Sequence, residues 1–279
     1  MYIYLGDDDI TRAASYLCGV LTYARIPFDR VNSSETPPAR FTSTQYDAYI
    51  ISDYPRTKFQ TGQIEHLCNA VTQGAGLLMI GGWESFHGQH GEYHDSPLAE
   101  VLPVQMLHQD DRRNFSQSAL VLKHHNHPIL EGLPWEKPPF IGGLNQFSVK
   151  PNANLLLKAI TTDIRIVQED EVADCDNDSI FNYINKPVEE RFSVSLSGGD
   201  TMFLTLAETF PLLVVGQYGK GRTAALATDA APHWVGGWVD WGKKRISQKL
   251  DNQNSIEVGE NYVQFFTQLT RWLGKQFGK

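Results

Sequence analysis

The stretch Gly76-Leu-Leu-Met-Ile-Gly-Gly82 decides the fold. It is a continuous apolar run closed by glycines, the pattern of a short strand buried on both faces of a parallel sheet. Ala48-Tyr-Ile-Ile-Ser52 has the same character. Between the two, a helix is expected from about Thr61. Ile64, Leu67, Cys68 and Val71 form its apolar stripe, and Gly74 suits a left-handed C-terminal position. Nearer the N-terminus, Tyr2 to Leu5 reads as another buried strand ending at Gly6. The acidic turn Asp7-Asp8-Asp9 follows, where a carboxylate suits a helix cap. Helical spacing then recurs at Ile10, Ala13, Ala14, Leu17, Cys18, Leu21 and Ala24, and Phe28 to Val31 begins a further extended piece. Strand and helix alternating in this order predict right-handed parallel crossovers and a doubly wound, mostly parallel sheet.

Beyond Gly82 the pattern loosens. Ala119 to Lys123 reads as a strand and His127-Pro128 as turn chemistry. From about Leu155 to Thr228, strands separated by turns are expected at Leu155–Ala159, Ile164–Gln168, Phe192–Leu196, Met202–Leu206, Leu212–Gln217 and Thr223–Thr228. Glu169 to Asp178 is acidic and reads as a surface loop. Gly216-Gln-Tyr-Gly-Lys-Gly-Arg222 joins two strands, so its glycines point to a hairpin and not to a phosphate loop. An amphipathic helix closes the chain, with Tyr262, Phe265, Phe266, Leu269, Trp272 and Leu273 on one face. Residues 1–279 are expected to form a single domain with an insertion at about 161–199.

Composition bounds the function. A net charge of −8 and a pI near 5.6 argue against a nucleic-acid partner, which needs a basic footprint. No window has the apolar length of a transmembrane helix, so no membrane partner is expected. Cys18, Cys68 and Cys175 are widely spaced with no CxxC, which argues against a disulfide framework or zinc ribbon and for a reducing, cytoplasmic compartment. No cofactor motif is present, and no metal site is assigned.

Several separated motifs occur together in order: Tyr46-Asp47 with Ile50-Ile-Ser-Asp53, Gln73 through Gly88, Pro97-Leu-Ala-Glu-Val-Leu-Pro-Val104, Asp110-Asp-Arg112, Gly216 through Arg222, and Thr228-Asp-Ala-Ala-Pro-His-Trp234. Together these resemble the putative glutamine amidotransferase family, a branch of the class I glutamine amidotransferase-like superfamily. The likeness runs from Leu5 to Trp272 and is weakest over Thr161–Gly199. It implies a flavodoxin-like sheet with helices on both faces, added β-strands in the C-terminal half, and a site at the C-terminal ends of the strands. It also implies a cysteine nucleophile on a G-x-C-x-G elbow, exposed by a tight turn. This chain has Gly82 or Trp83 there, and neither attacks an amide. Cys18 and Cys68 lie on apolar helix stripes, and Cys175 lies among carboxylates that disfavour a thiolate.

The remaining chemistry has more than one reading. Ser85 is the hydroxyl nearest the elbow. His233 as base and Asp229 as orienter would complete a hydrolase, following a late strand as the amidotransferase histidine does. The plainer reading has Ser85 capping a helix, with Asp229 and His233 tying down a loop. His87, His90 and His94 cluster with Glu84 and Glu92 after the elbow, and His124, His125 and His127 form a second group. Such loop histidines are weak evidence for a metal. Arg112 either presents its guanidinium to an anion or pairs within Asp110-Asp-Arg-Arg113. The leading expectation is an amidotransferase-like protein without its nucleophile. It binds a small polar molecule at a rim built from Asp7, Trp83, Glu84, Ser85, Arg112, Asp229, His233 and Trp234. The Ser85 hydrolase is one alternative. A homo-oligomeric scaffold making contact through Trp234, Trp238 and Trp241 is the other.

Overall fold

A computed structural model describes residues 1–7, 11–167, 191–195, 201–250 and 254–276. The chain divides into two compact units, one of Met1–Ala159 with Pro211–Lys279 and the other of Ile160–Phe210. Among the described residues the strands are β1 Tyr2–Gly6, β2 Phe28–Val31, β3 Ala48–Ser52, β4 Gly76–Ile80, β5 Val104–Met106, β6 Arg112–Lys123, β7 Phe140–Asn145, β8 Phe147–Val149, β9 Asn154–Val167, β10 Arg191–Ser195, β11 Thr201–Tyr218, β12 Gly221–Leu226, β13 Arg245–Lys249 and β14 Ser255–Gly259.

The larger unit is organised by a sheet in the order β2-β1-β3-β4-β12-β11-β9-β6-β7. Its first five strands are parallel, with β1 between β2 and β3 and β4 between β3 and β12. Strands β1, β3 and β4 are buried along their whole lengths, as their unbroken apolar sequences require. Beyond β12 the character changes: β11 and β12 pair antiparallel, as do β6 and β7. The hairpin read at Gly216–Arg222 is present, with Tyr218 opposite Gly221 and Gly219 at φ 55°.

Helix α1, Ala13–Tyr23, connects β1 to β2, and helix α2, Gln63–Gln73, connects β3 to β4. The two crossovers travel in opposite directions across the sheet. The strand order thus reverses at a switch point between the ends of β1 and β3. Helix α1 begins at Ala13 with Arg12 as its N-cap residue, and the aspartate expected as a cap at the end of the turn falls outside the described residues. Asp8, Asp9 and Ile10 lie outside the described residues. Helix α2 ends as expected, with Gly74 at φ 130°. The C-terminal helix Glu260–Leu273 packs against α1, β4 and β12. Its buried Phe265 and Phe266 meet Trp238 at ring-centroid distances of 4.8 and 6.4 Å. Burying an aromatic of this size contributes on the order of 2–3 kcal/mol.

In the smaller unit β10 pairs antiparallel with the first residues of β11, and the Thr161 hydroxyl accepts from the Glu208 N–H at 2.9 Å. The stretch 161–199 expected as an insertion falls within this unit. The acidic loop Glu169–Asp178, including Cys175, lies outside the described residues, as does most of the rest of 168–200.

Candidate functional site

Strands β1 and β3 each leave the sheet through an aspartate. Asp7 follows Gly6 and Asp53 follows Ser52, at φ 49° and 43°, and the Asp7 N–H donates to the Ser52 carbonyl at 2.8 Å. A side chain at Gly6 would stand 1.5 Å from that carbonyl, so glycine is required where the strand ends converge. Non-glycine residues in the left-handed region are strained, and aspartate tolerates it better than most. The same strain continues through the loop after β4, where Phe86, His90 and Glu92 also have positive φ.

The elbow itself is held from two sides. On one side, Asp53 accepts the Glu84 N–H at 2.8 Å and the Asp53 N–H donates to Ser85 Oγ at 3.0 Å. On the other, the buried Asn145 at the end of β7 accepts the Gly82 N–H at 2.8 Å and donates to the Gly82 carbonyl at 3.1 Å. Asn145 donates as well to Asp111 at 2.8 Å, and Asp111 receives the N–H groups of His87 and Gly88 at 2.8 and 3.0 Å. Asp111 is fully buried. Desolvation raises its pKa, and these donors oppose the rise.

This architecture leaves the elbow glycine no room for a side chain. A Cβ on Gly82 would stand 2.0 Å from Asp53 Oδ1, so no side chain fits there while Asp53 keeps its place. Trp83, the next residue, points outward and is 45% exposed. Among the described residues, burial pushes the thiols of Cys18 and Cys68 up to about 12, which disfavours the nucleophilic thiolate.

A cavity of about 330 Å³ opens above the switch point. Asp7, Asp53, Glu84 and Trp83 line it, together with Ser33, Gln89 and His90. Asp229, after β12, is buried beside it. Burial first, and then the charges of Asp7 and Asp53, raise its pKa well above the ordinary 3.8. Its carboxylate accepts the Ala231 N–H at 2.9 Å, and the Ala230 backbone N–H also donates to it. The Tyr4 hydroxyl donates to Asp7 from below, and its own pKa is raised by burial and by that carboxylate.

The expected rim residues separate into groups. Asp7, Trp83 and Glu84 line the cavity. Asp53 and Gln89 line it too without being expected there, and so does His90, which the sequence groups with His87 and His94. Asp53 was legible in principle, because it ends an apolar strand just as Asp7 does. Ser85 is fully buried with its oxygen turned to the Asp53 amide, and no helix begins there for it to cap. His233 is exposed and lies 6.1 Å from the Trp83 ring, and no hydrogen bond joins it to Ser85 or Asp229 among the described residues. Arg112 is engaged by Asp110, at 2.6 and 2.9 Å, and stacks 4.8 Å over Trp83. Trp234 is 2% exposed and donates to Asn114 at 2.7 Å against the backbone of Gly143, so it is core and not rim. Trp238 and Trp241 are buried within the chain as well.

No described helix is long and apolar enough to cross a membrane. In structure the chain resembles two proteins named as cytoplasmic. One is from Salmonella typhimurium LT2, with 22% identity, TM-score 0.65 and 98% of both chains covered. The other is from Salmonella typhimurium, with 20% identity, TM-score 0.66 and the same coverage. A "Putative thua-like protein" from Parabacteroides merdae ATCC 43184 aligns at 11% identity and TM-score 0.54, over 98% of this chain and 89% of the other. At these identities the likenesses show the fold alone. No curated protein matches the chain. A family model matches residues 35–168 and 194–250, more than half of the chain, and on that match the chain belongs to the family described as "Putative glutamine amidotransferase".

Proposed function

We propose that the chain binds a small, donor-rich polar molecule in the elbow cleft and does not hydrolyse glutamine. The observation that carries this reading is the lining of the cavity, where Asp7, Asp53 and Glu84 surround the space beside the partly exposed Trp83 ring, over which Arg112 also lies. Ionised carboxylates accept hydrogen bonds and donate none. A fitting ligand therefore supplies hydroxyl or ammonium donors, and an apolar ring face or a cation to lie on the indole. Sugars, polyols and amines meet that description. Phosphates and carboxylates meet repulsion.

Two further features support binding over catalysis. Gly82 has no room for a side chain, and Ser85 spends its oxygen on the Asp53 amide. The hydrolase alternative through Ser85, His233 and Asp229 needs a hydrogen-bonded chain that these residues do not form in this conformation. A homo-oligomer built on Trp234, Trp238 and Trp241 would first have to unpack them from the core. The strand order β2-β1-β3-β4-β12 supports the flavodoxin-like, doubly wound reading of the parallel block, since right-handed crossovers in opposite directions put α1 and α2 on opposite faces. The wide spacing of the three cysteines, with no CxxC, supports a cytoplasmic location.

The test is saturation-transfer NMR on the full chain with a panel of uncharged monosaccharides, primary amines and L-glutamine, repeated on Trp83→Ala. Transfer to a sugar or amine, lost in the variant, is the expected result. Ammonia release from L-glutamine, or no transfer to any sugar or amine at millimolar concentration, would overturn the reading.

A further inference from the structure

On the far side of the loop that carries Trp83 and Glu84, the chain gathers a second set of polar groups that the cleft does not use. Ring nitrogens of His94 and His108 and a carboxylate oxygen of Asp95 all lie within 4.8 Å of one another. His94 Nε2 is 3.0 Å from Asp95 Oδ2. Its other nitrogen, Nδ1, is 2.8 Å from Nδ1 of His87, with the two rings 4.3 Å apart. His108 approaches the His94 ring edge-on at 5.2 Å. His94 is largely covered, at 12% exposure, whereas Asp95 is 70% exposed and His108 is open to solvent.

We propose that His94, Asp95 and His108 form a binding site for a divalent first-row transition cation, with His87 as the positioning residue. Two histidines and one carboxylate are the donor set of borderline ions such as Zn2+, and not of Mg2+ or Ca2+, which want oxygen alone. Bonds of about 2.0–2.2 Å set tetrahedral donors roughly 3.3–3.5 Å apart. The His94–Asp95 separation is close to that already, and a ring nitrogen of the exposed His108 lies within 4.8 Å of both. The buried side of the cluster has the feature that metal histidines share, a partner for the ring nitrogen that does not bind. Only one hydrogen fits between the two Nδ1 atoms. When His94 supplies it, His87 accepts, and the Nε2 lone pair of His94 faces the Asp95 carboxylate. Two acceptors at 3.0 Å then repel unless a cation lies between them. His87 is itself fixed in place, because its N–H donates to the buried Asp111 at 2.8 Å.

The ligands come from two segments, Tyr93–Asp95 and the residues after β5, so the ion would tie the post-elbow loop to the two-stranded β5–β8 ladder. Solvent on the Asp95 and His108 side leaves a fourth position open to water. This inference does not rest on the cleft reading, since the two sites share no residue.

The test uses Zn2+ alone as the probe. The full chain is stripped with a chelator, dialysed and titrated calorimetrically, and circular dichroism monitors the fold of each variant. The expected result is one zinc per chain, bound at micromolar concentration or tighter. His108→Ala, at an exposed position that should not disturb folding, weakens binding at least tenfold, and the pair His94→Ala with His108→Ala abolishes it. His87→Ala weakens it by roughly 10–100-fold, as loss of an orienting partner does. The double variant His124→Ala with His125→Ala removes the other adjacent imidazole pair, whose rings are 4.3 Å apart, and leaves binding unchanged. No saturable zinc binding by the native chain, or undiminished binding by His108→Ala, would overturn the proposal. So would loss of binding in the His124/His125 variant.

Discussion

Two buried carboxylates flank the elbow, and they differ in what compensates their burial. Asp111 is fully buried, and three donors converge on it from Asn145, His87 and Gly88. Asp229 is nearly as buried and accepts from the backbone of Ala230 and Ala231, yet its neighbours Asp7 and Asp53 add like charge to the cost of desolvation. A buried charge met by donors is an architectural post, and one crowded by like charges is costly unless something else binds there. The Asp111 side holds the loop in shape, and the Asp7–Asp53–Asp229 side is where a donor-rich ligand would relieve the repulsion.

The largest effect should come from breaking the post. Asp111→Ala strands three buried donors and is expected to cost about 3–5 kcal/mol in chemical denaturation. A loss below about 1 kcal/mol would remove the distinction between the two sides. Next is Gly82→Cys, which restores a thiol at the elbow position but drives its Cβ into Asp53. Overpacking of this kind costs about 1–3 kcal/mol, and ammonia release from L-glutamine should stay at background. Ser85→Ala removes the acceptor of the Asp53 N–H and should cost about 1–2 kcal/mol. A fluorophosphonate probe followed by intact mass should label neither the native chain nor this variant. An adduct on the native chain alone would revive the hydrolase reading.

The smallest effect sharpens the comparison most. The folded-state pKa of Asp229 lies above its unfolded value, so between the two the folded chain binds more protons. Stability therefore falls as pH rises from about 4 toward the raised pKa, and is not regained above it. Asp229→Asn keeps the acceptor for the Ala231 N–H and removes the charge. It should be more stable than the native chain at neutral pH, by about 1 kcal/mol, with the difference vanishing near pH 3. An equal difference at all pH values would mean that Asp229 is not the titrating group.

The strands that position the elbow were legible because they are short, apolar and ended by glycines, and α2 because Ile64, Leu67 and Val71 recur at helical spacing before Gly74. Asp7, Trp83 and Glu84 were legible as neighbours of those strand ends. What held the elbow was not. Asn145 meets Gly82 across 63 residues and Asp111 across 34, and no local pattern announces a hydrogen bond of that range. The histidines were misgrouped for the same reason. Sequence proximity put His90 with His87 and His94, but a left-handed turn at His90 sends it to the cleft, and His108 takes its place from beyond β5. Trp234 read as rim because it follows a strand end, whereas Gly143 opens the space that buries it.

The central claim is that the cleft selects donors over anions. Glucosamine and glucose 6-phosphate have the same ring and opposite charge, and ligand-detected NMR titration of both against the native chain separates the alternatives directly. The account predicts saturable binding of glucosamine, at least tenfold tighter than any binding of the phosphate, with the preference shrinking in Glu84→Gln. Tighter binding of glucose 6-phosphate would contradict it.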